Sequence, residues 1–233
     1  MIAYGSWGPA AGQAPAEPVD QYVPLDPAIV QSGGLIILDD HIPNQFESLP
    51  HGLMVRAAAD KAGFQGPIVH GAFGGGKSAE EARLFRRMRQ PDCAPEEFRK
   101  LLSTTTVMAN TGLLNQASER LEGLTKLGAR NSAANLSMGN SKASTLHSLV
   151  LGEVEVRNNA ARSLGLSVER LYSNDPNVAG PEHLQLQQGM LKLISEAVDR
   201  SPEIKQSKTR YDKAVANFEQ RGNSVVISAG NDG

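Results

Sequence analysis

The chain has 233 residues, of which 40% are hydrophobic and 21% are charged, and its net charge at pH 7 is −2. This length can bury a real core, and a nearly neutral charge gives no electrostatic reason to expect nucleic acid or an anionic membrane as a partner. The single cysteine, Cys93, excludes an internal disulfide framework and a multi-cysteine metal site.

The first 32 residues are rich in alanine, glycine and proline and have neither a basic start nor a continuous apolar segment. This composition predicts a flexible leader and not a secretory signal, so we expect a cytoplasmic location. Nowhere does an apolar run approach the roughly 20 residues that cross a bilayer. Residues 33–233 are therefore expected to form the folded domain.

An unbroken apolar run, Leu35 to Leu38, follows two glycines and is closed by Asp39 and Asp40. Such a run is typical of a central parallel strand that is buried on both faces. The patterns that follow predict a helix over 51–62, a strand over 66–70, a glycine-rich turn over 71–76, and helices over 78–89, 95–102 and 115–127.

The second half of the chain predicts a strand over 133–139, helices over 145–164, 181–199 and 202–219, and a strand over 224–229. Strands separated by helices favour an α/β fold with a mainly parallel central sheet flanked by helices. The almost wholly helical stretch 146–220 is expected to be an insertion between two strands. Because a strand and its turn stand at the printed end, we expect the sequence to be a fragment of a longer protein.

Four short segments lie in one order along the chain: 36–39 (IILD), 51–55 (HGLMV), 135–139 (NLSMG) and 225–231 (VVISAGN). Together they resemble the subtilisin-like serine protease family. In that family an acid ends a buried strand and a His-Gly pair opens a helix. An Asn-x-Ser-x-Gly strand lines the substrate cleft, and an Ala-Gly-Asn turn supplies an oxyanion donor.

The resemblance implies peptide-bond hydrolysis by a Ser/His/Asp triad acting on a peptide or protein substrate, and we expect no cofactor. Calcium is common in the wider family, but no acidic loop of this sequence has ligand-like spacing, so no metal is expected. His51 would be the base and acid, Asp39 would orient its imidazole, and Asn231 would donate to the oxyanion. Residues Ser137, Met138 and Gly139 would pair with the substrate backbone by strand addition.

Two departures from the family pattern bear on this interpretation. The family usually has Asp-Ser/Thr-Gly where this chain has Asp39-Asp40-His41, so Asp40 is a rival for the triad acid. The Gly-Thr-Ser-x-Ala turn that carries the family's nucleophile does not occur in these residues. We therefore predict that the chain alone hydrolyses no peptide, because a triad without its nucleophile retains little more than background catalysis.

A second interpretation comes from the segment 71–78, which matches G-x-x-x-x-G-K-[ST] at Gly71, Gly76, Lys77 and Ser78. Such a P-loop would cradle the phosphates of ATP or GTP, with the lysine on the β- and γ-phosphates and the serine on Mg²⁺. A Walker B-like strand, residues 35–40, precedes this loop, which reverses the usual chain order. A third possibility is a non-catalytic interaction protein.

Overall fold

The computed structural model describes residues 27–39, 51–72, 79–137 and 152–227. Within these ranges the chain is mostly helical, with one small sheet. The elements in chain order are α1 (Pro27–Gln31), β1 (Leu35–Asp39), α2 (His51–Lys61), β2 (Ile68–Ala72), α3 (Ala79–Met88), α4 (Pro95–Lys126), β3 (Ala133–Ser137), α5 (Val154–Ser163), α6 (Val168–Leu171), α7 (Pro176–Arg200), α8 (Pro202–Glu219) and β4 (Ser224–Ile227).

The four described strands form one parallel sheet in the order β2-β1-β3-β4. The expected α/β class with a parallel sheet flanked by helices is confirmed. The subtilisin-like identity of that sheet stays a prediction.

Strand β1 lies between β2 and β3, as its apolar run predicts. Ile36, Ile37 and Leu38 are each at most 2% exposed, because a central parallel strand is covered on both faces. The strand begins after Gly34, where a side chain would meet the Pro67 carbonyl oxygen at 2.3 Å. This glycine therefore allows the close approach at which the Leu35 N–H donates to the Pro67 carbonyl at 2.9 Å.

One hydrophobic core lies between the sheet and two helices. Ile36 and Leu38 of β1 and Ala134 and Leu136 of β3 face α4 and α8. The helices contribute Ala117, Leu121, Leu124, Tyr211, Ala214 and Phe218. We call the sheet, α1, α2, the C-terminal part of α4 and α8 the sheet unit.

A second core is wholly helical. It joins α3, the first turns of α4, and α5 to α7 through Phe85, Met88, Cys93, Phe98, Leu102, Val156, Ala160, Ala161, Leu171, Leu186, Met190 and Ile194. We call these elements the helical unit. Of the stretch predicted as an insertion, α5 to α7 belong to this unit, whereas α8 packs on α4 in the sheet unit.

Helix α4 corrects the prediction of two short helices over 95–102 and 115–127, because one helix of 32 residues spans both. The residues between them include four threonines and Gly112, which have low helix propensity. Packing of the two ends in the two cores stabilises the helix through this weak stretch, as tertiary contacts commonly override propensity.

Helix α7 begins five residues before its predicted start. The prediction placed Pro181 in the first turn, but Pro176 occupies that position and Pro181 lies inside the helix. The Asp175 side chain accepts a hydrogen bond from the Asn177 N–H at 2.9 Å and caps the helix there. The Asp-Pro pair, and not the later proline, marks this helix start.

Candidate active site at the carboxyl edge of the sheet

The described strands bring two of the predicted site residues side by side. Asp39 is the last residue of β1, and its Cα partners are Ala72 at the end of β2 and Ser137 at the end of β3. Because all four strands are parallel, their carboxyl ends meet at one edge of the sheet. The backbone therefore places the predicted triad acid next to the first residue of the predicted substrate-binding segment.

The gap between β1 and β3 is also where the strand order reverses. From β1 the chain moves outward to β2, and it then returns past β1 to β3 and β4 on the other side. In open α/β sheets the connections diverge at such a switch point and leave a crevice outside the carboxyl ends of the strands. Asp39 and Ser137 flank that crevice.

His51 is the first residue of α2, and α2 packs against β1. The last residue of α2, Lys61, is joined by a short connection to the amino end of the parallel strand β2, which begins at Ile68. A helix that returns the chain between two parallel strands runs antiparallel to them, so α2 begins toward the carboxyl edge. The structure thus places the backbones of Asp39, His51 and Ser137 on neighbouring elements.

The other predicted site residues lie outside the described part of the chain. These are Asp40, Met138, Gly139 and Asn231 of the protease interpretation and Gly76, Lys77 and Ser78 of the nucleotide-binding interpretation. Gly71 lies in β2, which ends at Ala72, and α3 begins at Ala79. The P-loop-like segment therefore starts in a described strand, and a described helix begins directly after it, which is the context that the motif needs.

A buried side-chain amide lies two residues before the end of β3, at a position to which the sequence motifs assign no separate role. Asn135 of β3 is 8% exposed, and its Oδ1 has no hydrogen-bond partner among the residues that the structure describes. Its Cα partner is Ile37, so it faces away from the core of the sheet unit, toward the α2 side. The signal in the sequence was an asparagine between two apolar residues of a predicted strand, because a buried polar side chain normally has a hydrogen-bond partner.

Several described residues have shifted pKa values, and none of them is one of the predicted site residues. Hydrogen bonds from Arg87 lower the pKa of Glu97 and of Asp92, and a hydrogen bond from Arg210 lowers that of Glu122. Burial raises the pKa of the Cys93 thiol and of Tyr211. Ion pairing therefore explains the lowered values, and burial explains the raised ones.

The described ranges contain no group of three or more His, Cys, Asp or Glu side chains that could hold a metal ion. None of the helices in these ranges combines the length and the apolar character needed to cross a membrane.

Comparisons with known proteins add no relative. No protein-family model matches the chain, and neither the curated proteins nor the solved structures contain a match. The functional argument therefore depends on the sequence motifs and on where the fold places them.

Proposed function

We propose that this chain is part of a subtilisin-like serine protease catalytic domain and supplies every triad and cleft element except the nucleophile. The observation that carries the proposal is the pairing of Asp39 with Ser137 at the switch point of a parallel sheet. The two residues come from motifs 98 positions apart, and the resemblance requires both at one cleft.

The proposed chemistry follows from the roles that the family resemblance gives to these residues. The imidazole of His51 accepts the proton of a serine hydroxyl and later delivers it to the leaving amine. The carboxylate of Asp39 accepts the hydrogen bond from the second ring nitrogen, fixes the tautomer and stabilises the imidazolium. Asn231 donates to the oxyanion, an interaction that contributes about 3–4 kcal/mol in comparable sites.

Substrate binding is assigned to the segment that continues β3. An extended peptide that pairs with Ser137 to Gly139 gains backbone hydrogen bonds without requirements on its sequence. Specificity would then depend on pockets around the crevice.

The test is direct detection of the His51 ring N–H proton by NMR. A ring N–H held by a carboxylate exchanges slowly with water, so we expect a protected proton signal that His51→Ala removes. Asp39→Asn should abolish the protection and Asp40→Asn, the matched control, should retain it. A ring proton that exchanges freely in the unmodified protein would contradict the proposal, and loss of protection only in the Asp40 variant would move the acid role to that residue.

A peptide-hydrolysis assay tests the missing nucleophile. We expect no cleavage by the purified chain above background, because a triad without its serine leaves little catalysis. Cleavage that disappears in His51→Ala would show that a serine within these residues completes the triad. Cleavage that survives in His51→Ala would show that chemistry elsewhere in the chain is responsible.

Nucleotide binding is a second candidate because one observation favours it. Asp39 pairs with Ala72, so the strand carrying the Walker B-like acid adjoins the strand that leads into residues 73–78. Micromolar binding of ATP or GTP with Mg²⁺ that is lost in Lys77→Ala, but kept in the control Lys61→Ala, would favour this function over the protease.

A further inference from the structure

The described sheet ends at β4, and the side chains of this strand are exposed. β4 is the last strand in the order β2-β1-β3-β4, and no described strand lies beyond it. Val226 is 51% exposed and Ile227 is 49% exposed, and the two lie on opposite faces of the sheet. The strand has neither a proline nor a charged residue, the features that commonly keep an edge strand from pairing with another chain. The outer edge of β4 can therefore accept a further strand.

Helix α8 lies beside this edge and presents charged residues toward it. Of the two helices that cover this face of the sheet, α8 is the one that packs against β4, and its other neighbour is α4. Arg210 binds Glu122 of α4 from one flank of α8. The opposite flank, which we call the α8 stripe, carries four exposed charged residues: Lys205, Lys208, Asp212 and Glu219. The α8 stripe therefore points away from α4, past the outer edge of β4.

The order of charges along the α8 stripe suits a second copy of the same helix in antiparallel orientation. The amino-terminal half of the stripe is basic and the carboxyl-terminal half is acidic. Two such stripes that meet across a two-fold axis place each basic half against an acidic half. Lys208 and Asp212 bind each other at 2.7 Å within one chain. The charges that would meet across the axis are therefore Lys205 of one copy and Glu219 of the other.

The position of β4 along α8 agrees with this pairing. The side-chain amide of Asn223 donates to the Phe218 carbonyl at 2.9 Å, which brings the end of α8 level with the start of β4. The middle of β4 lies about 8 Å further along the strand. The same distance back along α8 is roughly five or six residues, which reaches the neighbourhood of Asp212. A two-fold axis at the middle of β4 therefore has the basic half of the α8 stripe on one side and the acidic half on the other.

We propose that β4 pairs antiparallel with β4 of a second copy of this chain, and that the α8 stripes of the two copies pack against each other beside the paired strands. The two four-stranded sheets become one continuous sheet, and each contact occurs twice because the interface is isologous. Backbone hydrogen bonds between the strands supply affinity, and the charges of the α8 stripe fix the orientation. The interface uses none of the residues assigned to the proposed chemistry.

The first test is sedimentation equilibrium of the purified chain, in which we expect a monomer–dimer equilibrium. Val226→Lys brings two charges into the paired strands and should raise the dimer Kd at least about tenfold. Val154→Lys, the matched control, makes the same change at a valine of the helical unit that is 55% exposed, and it should leave the Kd unchanged. Both side chains are about half exposed or more, so neither lysine should unfold the chain. A protein that stays monomeric at millimolar concentration, or a dimer that Val226→Lys weakens no more than Val154→Lys does, would overturn the proposal.

A charge exchange tests the antiparallel arrangement. Lys205→Glu and Glu219→Lys should each raise the dimer Kd about fivefold, because like charges then meet at two places in the interface. The double variant restores opposite charges and should return the Kd to that of the unmodified protein. The two positions are about 21 Å apart along one helix, so only a second copy can bring them together. A double variant in which the two effects simply multiply would contradict the proposed pairing.

Discussion

The sheet unit and the helical unit differ in what their polar contacts do. In the sheet unit, Asn223 ties the start of β4 to the end of α8 and the chain before β3. In the helical unit, Arg87 binds both Glu97 and Asp92, and Asn159 donates to the carbonyls of Met88 and Gln90 at the end of α3. The first network fixes the strands that bear the candidate site, whereas the second only holds helices together.

Under the proposed function, the chemistry belongs to the sheet unit. The predicted site residues with a described backbone, Asp39, His51, Ser137 and Gly71, all lie on strands or on α2. If the units are energetically separable, a change in one core will leave the other core largely protected.

The largest effect is expected from truncating the central aromatic residue of each core. Phe98 and Phe218 are both 0% exposed, so Phe98→Ala and Phe218→Ala should each cost about 3–5 kcal/mol. Amide exchange should show lost protection in α5 and α7 for the first variant and in β1 and β3 for the second. Equal loss of protection throughout the chain in both variants would show that the two cores do not unfold separately.

The next largest loss of stability is expected from replacing two buried asparagines, Asn223 and Asn159. The Asn223 side chain donates to the carbonyls of Ala129 and Phe218 and accepts from the Ser132 N–H, at 2.9–3.0 Å. Asn223→Ala leaves these buried groups unpaired and should cost about 2–3 kcal/mol in urea unfolding.

Asn159 is the matched position in the helical unit. Its side chain donates to the carbonyls of Met88 and Gln90 at 2.8 and 2.9 Å. Asn159→Ala should cost a similar amount, but it should leave the backbone signals of β1 and β3 unchanged in NMR spectra. Altered signals at Asp39 in this variant would show that the units are coupled.

The smallest expected effect is on the pH dependence of the free energy of unfolding. Hydrogen bonding to Arg87 lowers the pKa of Glu97 in the folded protein below its ordinary value of 4.5. The resulting stabilisation is present above the unfolded-state pKa and is lost as the pH falls through the lowered value. Unfolding in urea at pH 7 and pH 3 should therefore show a smaller pH effect in Glu97→Gln than in the unmodified protein.

Glu122→Gln makes the same comparison in the sheet unit, where Arg210 lowers the pKa of the Glu122 carboxyl. Because both ion pairs are partly exposed to solvent, we expect modest changes in the two variants. If both variants show the same pH effect as the unmodified protein, neither ion pair contributes to the pH dependence of the free energy of unfolding.

The sequence was most informative where one local pattern decides the structure. The apolar run of Ile36 to Leu38 predicts a buried strand because each side chain in it is apolar. It could not predict that Asp39 pairs with Ser137, because register depends on how distant strands pack. The continuous helix α4 was missed for the same reason, since its threonine-rich centre is stabilised by contacts of its two ends.

The candidate site was predicted only as a set of motifs in chain order. The spatial adjacency of Asp39 and Ser137 required the strand order, which the sequence does not contain. The burial of the Asn135 Oδ1 could not be predicted, because a polar residue in a strand can face either solvent or the interior.

The most direct test of the central claim is a disulfide between Asp39→Cys and Ser137→Cys in a Cys93→Ala background. The account predicts that this bridge forms on mild oxidation, because Cα partners in adjacent strands lie about 5 Å apart, within the range that a disulfide spans. The pair Asp39→Cys and Ala133→Cys, at opposite ends of the same strands, should not form one. Failure of the first pair in a folded protein, or equal oxidation of both pairs, would contradict the placement of the site at the carboxyl edge.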